Sequence, residues 1–133
     1  MKISPLLFAL ILGAFCNATA ADKASGHKRV GVEEFQKILK TQKLTVLDVR
    51  TPDEYKTGHI KGAININFYD KDFKKKVSKL DKSKAYLMHC HSGGRSGKAS
   101  KMMVEAGFRL IYDLAPGMSG WLKARKPVAT GGK

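Results

Sequence analysis

From Val32 to Arg125 the chain alternates between two hydrophobic periods, and that alternation restricts its fold more than any other feature. Short apolar runs of strand character stand at 44–49 (LTVLDV), 62–67 (GAININ), 85–90 (AYLMHC) and 109–114 (RLIYDL). Between them apolar residues recur at helical spacing: Val32, Phe35, Ile38 and Leu39, then Phe73, Val77 and Leu80, then Ala99, Met102, Met103 and Ala106. Thr51, Pro52 and Glu54 form a capping-box signature with proline at the first helical position, and Gly58 stops that short helix. Gly107 ends a later helix, and 119–125 reads as a short closing one. Strands separated by helices pair in parallel, because each crossover returns the chain in the same direction. The expected fold class is therefore α/β: a small parallel β-sheet flanked by helices in three layers, α/β/α.

The termini lie outside that pattern. Lys2, the apolar run from Leu6 to Phe15 and the small residues Ala18-Thr19-Ala20 read as a signal peptide over residues 1–20. The run is much shorter than the ~20 residues that span a bilayer. The expectation is an exported, periplasmic protein without stable membrane insertion. Residues 21–29 (ADKASGHKR) read as a flexible lead-in, 30–128 as the domain, and 129–133 (ATGGK) as a loose tail. The chain has two cysteines, and removal of residues 1–20 takes Cys16 and leaves Cys90. A single cysteine in an exported protein is a reactive thiol, half of an intermolecular bridge, or an inert core residue.

The residues around Cys90 favour the first. Cys90 stands at the carboxyl end of a strand, where α/β folds bind ligands, and a helix is expected five or six residues later. Gly93 and Gly94 permit a tight curve that turns successive amides inward as an anion nest. The positive helix end and the Arg95 guanidinium face the same spot. All three favour thiolate over thiol. Cys90 is thus the candidate nucleophile, and His91, Ser92, Gly93, Gly94, Arg95 and Ser96 are the candidate substrate-binding residues.

Three segments carry a family resemblance. CHSGGRS (90–96) resembles the active loop of the single-domain rhodaneses, the thiosulfate sulfurtransferases. LDVRTPDEYKTGHIKGAININF (47–68) and GFRLIYDLAPGMSGWLKARKPV (107–128) resemble the flanking signatures. The resemblance implies a rhodanese-like domain over 30–128. It also implies a two-step transfer, in which Cys90 takes sulfur from a thiosulfate-like donor as a persulfide and passes it to cyanide or a thiol. It implies no cofactor and no metal. Pro116-Gly117 departs from the glycine pair usual in the family.

Other residues carry less. His91 should face the mouth and steer anions when protonated. His89 reads as scaffold, since adjacent His89, Cys90 and His91 do not converge on one metal ion. Asp48 and Arg50 read as loop braces rather than as part of a triad with Cys90 and His59, and Trp121 as a core anchor. The seven lysines from Lys71 to Lys84 are the solvated side of a helix, so nucleic acid is not an expected partner. The net charge of +14 suits small anionic donors instead. Two alternatives stay open: a non-catalytic sulfur carrier, and a cysteine phosphatase or arsenate reductase. The latter enzymes resemble C-x5-R, whereas four residues separate Cys90 from Arg95.

Overall fold

A computed structural model describes residues 25–131. The signal-peptide reading of 1–20 lies outside the described residues. Five strands, β1 (Gly26–Val30), β2 (Thr45–Asp48), β3 (Ile64–Asn65), β4 (Ala85–His89) and β5 (Leu110–Leu114), form one sheet in the order β1-β5-β4-β2-β3. Every pairing is parallel. The helices are α1 (Val32–Gln42), α2 (Pro52–Thr57), α3 (Phe73–Ser78), α4 (Gly94–Glu105) and α5 (Gly117–Lys123).

A core lies on each face of the sheet, which makes the expected three layers. Phe73, Val77, Ala99 and Met103 of α3 and α4 pack with Tyr86, Met88 and Ile111 on one face. Phe35 and Ile38 of α1 and Met118 and Trp121 of α5 pack with Val46, Leu87 and Leu114 on the other. Tyr86 and Met88 of β4 face one core and Leu87 the other, and all five β4 residues are buried, as a central parallel strand requires. Trp121 is 1% exposed and donates its indole N–H to the Pro127 carbonyl, 2.9 Å away.

Several boundaries differ from expectation. Residues 26–29, expected to be flexible, form most of β1, in register with β5 from Gly26↔Leu110 to Val30↔Leu114. A polar edge strand carries no hydrophobic alternation, so only its partner reveals it. Ala129 likewise is tied down: its N–H and carbonyl both bond to His59, at 2.8 and 2.9 Å. The strand expected over 62–67 narrows to Ile64–Asn65 at the other edge. Helix α4 begins at Gly94, so Arg95 lies inside its first turn.

Candidate functional site

Cys90 directly follows β4, and its side chain joins the core on the α3–α4 face. The residue is 1% exposed. The chain then turns through Ser92 and reaches Gly93 at φ +96, the left-handed region that glycine enters without cost. This turn brings the Gly93 N–H onto the Cys90 sulfur at 3.1 Å. The start of α4 has no side-chain cap and no acidic residue in its first turn. Its free amides therefore remain available to an anion.

Two opposing effects set the thiol's acidity. Burial, the larger single effect, pushes the Cys90 pKa up. Hydrogen bonds from the Ser96 hydroxyl and amide and from the Gly93 and Ser92 amides together outweigh it, and the net shift is downward. The expected nest is thus present around the sulfur. The Ser96 hydroxyl, fully buried, adds a donor beyond the inward amides.

The inward amides have a structural cause on the opposite side of the loop. The amides of Met118 and Ser119, in the first turn of α5, donate to the carbonyls of Cys90 and His91 at 2.8 and 2.9 Å. Those carbonyls are held outward. Gly117 makes this approach possible: its φ is +61, and a Cβ there would overlap both carbonyls. Pro116 precedes it in a right-handed conformation as the N-cap of α5, so the proline-glycine pair serves the turn without distortion. Below the loop, His89 donates from Nδ1 to the Cys90 carbonyl at 3.1 Å, since a carbonyl only accepts. Burial is the main influence that holds the His89 pKa below its ordinary value, against the pull of Asp48, and keeps the ring neutral.

Asp48 and Arg50 are braces, as expected. Arg50 donates from Nε and a terminal nitrogen to both Asp48 oxygens, at 2.7–3.1 Å, and to the Gly58 carbonyl at 2.8 Å. Both residues are buried. His59 stacks on Tyr55 at 3.7 Å between ring centroids and bonds through Nδ1 to the Tyr55 carbonyl.

Arg95, within electrostatic reach of Cys90, also has a partner on α2. Its two terminal nitrogens donate to the two oxygens of Glu54, each at 2.8 Å, and its guanidinium lies 5.4 Å from the Tyr69 ring centroid. The Arg95 hydrogen bonds, aided by Thr51, hold the Glu54 pKa down to about 2 despite partial burial. Glu54 was legible as a capping residue, and it is one, bonding the Thr51 N–H at 3.0 Å. Its second role follows from place: α2 starts at the carboxyl end of β2, the same sheet edge as Cys90. His91 is exposed at the mouth.

A further residue escaped the sequence reading. Arg29 of β1 donates from one terminal nitrogen to the carbonyls of Gly93 and Ala115, both at 3.2 Å. Its other terminal nitrogen lies 3.7 Å from Asp113, which also receives His27 at 3.0 Å.

The Cys90 thiol, cradled by amides beyond the central strand of a parallel sheet, defines an α/β domain with a buried cysteine loop. Residues 31–124 match the family described as "Rhodanese-like domain", and the chain belongs to it. "Thiosulfate sulfurtransferase 16, chloroplastic" of Arabidopsis thaliana is 38% identical over 91 residues, 61% of this chain and 76% of that one. The Bacillus subtilis protein YrkF is 32% identical over 103 residues, 77% of this chain, and this chain spans about half of its length, 55%. The crystal structure of a rhodanese-related protein from Thermoplasma volcanium shares the fold with a TM-score of 0.69 at 27% identity, over 78% of this chain and 99% of that one.

Proposed function

We propose that this chain moves sulfane sulfur from a thiosulfate-like dianion to cyanide or a thiol. The Cys90 thiolate attacks the outer sulfur of thiosulfate. A new S–S bond forms, the old one breaks, and sulfite leaves with the electron pair. Cys90 then carries a persulfide anion of the same charge as the thiolate it replaced. Cyanide attacks the terminal sulfur, thiocyanate leaves, and the thiolate returns. The observation that carries this reading is the Gly93 N–H on the Cys90 sulfur in a buried loop of donors. The same donors can accept the terminal sulfur's charge without reorganising. No step calls on a metal or cofactor. Intact-protein mass spectrometry before and after thiosulfate tests the reading: the expected result is a gain of one sulfur atom, reversed by cyanide. No gain overturns it. A gain without turnover favours the sulfur-carrier alternative.

We also propose export, on the sequence of residues 1–20 alone. N-terminal sequencing of native material should begin at Ala21, and Met1 would contradict it.

A further inference from the structure

Two hollows open side by side along the seam between α3 and α4. The larger, about 330 Å³, has the buried Val77, Met103 and Phe108 as its floor, with the exposed Lys74 and Lys82 at its edge. The smaller, about 220 Å³, is lined by Phe68 and Phe73, with the exposed Lys71 at its edge. Lys74 and Met102 belong to both, so the hollows form one groove. Neither is much larger than the ~300 Å³ at which small-molecule sites begin. They suit single side chains set along a strip. Met102, at the centre, is half-buried, and a thioether adapts to varied apolar partners.

The edge of this groove is positively charged. Lys76 takes up Asp70 and Asp72, at 2.8 and 3.3 Å. Among the described residues, Lys71, Lys74 and Lys82 have no carboxylate within ion-pair distance. Lys82 is nonetheless held in place: its ammonium donates to the Ala106 carbonyl at 2.8 Å and lies 5.9 Å from the Phe108 ring centroid. Against these three cations stands Glu105. The end of the groove at Phe68 adjoins the rim of the cysteine loop, since the next residue, Tyr69, lies against Arg95.

We propose that the α3–α4 groove docks an acidic amphipathic helix of a partner protein, with apolar side chains in the two hollows and carboxylates against Lys71, Lys74 and Lys82. Adjacent hollows match apolar residues three or four apart, which share one face of a helix. The lysines supply the complementary charge that steers and orients such a segment. The shape disfavours a flat anionic membrane. A bilayer is entered by apolar side chains that protrude, and here Val77, Met103 and Phe108 are recessed behind lysines.

The inference does not rest on the sulfur chemistry, and binding alone tests it. The probe is a fluorescent peptide of about eighteen residues, long enough to hold a helix. Leucines repeat along one face at three- and four-residue spacing, and glutamates fill the other. Its control has the same composition with the leucines scrambled. Titrated with the full chain and followed by anisotropy, the patterned peptide should bind about tenfold more tightly than the control. Met102→Gln should weaken that binding about tenfold by removing the central apolar contact. Lys74→Glu lies on the exposed edge, where folding is not at stake, and should weaken it about fivefold with a shallower salt dependence. Equal affinity for the patterned and scrambled peptides overturns the proposal, since charge alone would then explain binding. Wild-type affinity in Lys74→Glu overturns it too. Binding to phosphatidylglycerol vesicles in place of the peptide, lost in Lys74→Glu, overturns it in favour of a membrane.

Discussion

Arg95 and Glu54 meet across the rim of the site through two parallel hydrogen bonds of 2.8 Å each. An arginine engaged in this way offers an incoming dianion less net charge than a free one. It also fixes the start of α4 against the start of α2.

Glu54→Gln is therefore expected to improve donor capture. With the carboxylate gone, the KM for thiosulfate should fall by about two- to fivefold, since a neutral glutamine leaves the Arg95 charge uncompensated. Stability should move the other way, by on the order of 1 kcal/mol once solvent screening is allowed for. The pH dependence has a definite sign. The Glu54 pKa is depressed to about 2 from 4.5. Its contribution is thus complete above about pH 4.5 and fades as pH falls toward 2. Steady-state kinetics and urea melts at pH 7 and pH 3 check both halves. An unchanged KM would leave the pair a purely structural strut.

Cys90→Ser should neither gain sulfur nor turn over, because a hydroxyl cannot form a persulfide. The fold should persist, since serine fits the same space and the Gly93 N–H can still donate to its oxygen. In the wild type, iodoacetamide labelling should show a midpoint below the ~8.5 of an ordinary thiol, following the downward shift at Cys90. Labelling that tracks an ordinary thiol would contradict the cradle.

Gly117→Ala should damage the loop from outside. A Cβ at φ +61 is strained and overlaps the Cys90 and His91 carbonyls. The expected cost is about 1–3 kcal/mol, or a Tm lower by roughly 5–10 °C. As the carbonyls shift, the inward amides shift with them, and the Cys90 alkylation midpoint should rise. A melt together with a cysteine titration separates the two effects. Lost stability with an unmoved midpoint would mean that α5 supports the fold but not the thiol.

Sequence periodicity foretold the central strands because each is buried on both faces, and such strands must be apolar throughout. β1 escaped it for the opposite reason. Its GHKRV is held by backbone pairing to β5 and exposes its charges, so no hydrophobic signal marks it. Arg29 was lost with it. The nest at Cys90 was legible because its glycines are local to the loop. The partners that turn the amides inward come from α5, twenty-seven residues along at Gly117, and that contact has no local sequence signature. The Arg95–Glu54 pair was not legible, because Glu54 already had an explanation as a cap.

Thiosulfate turnover should also weaken with salt. With a net charge of +14, the protein draws anions from a distance that shrinks to about 10 Å at 0.1 M ionic strength. The expected result is a KM that rises several-fold between about 0.05 and 0.5 M sodium chloride, with kcat little changed. A flat KM would make the charge a matter of solubility.

The depth of Cys90 has a bearing on how the molecule treats its own kind. A disulfide requires two Cα atoms within about 7 Å. Cys90 is 1% exposed, beneath the turn of Ser92 and Gly93. Two copies cannot bring these sulfurs together without their folded bodies colliding first. Burial at this depth therefore works against self-crosslinking of the domain through Cys90.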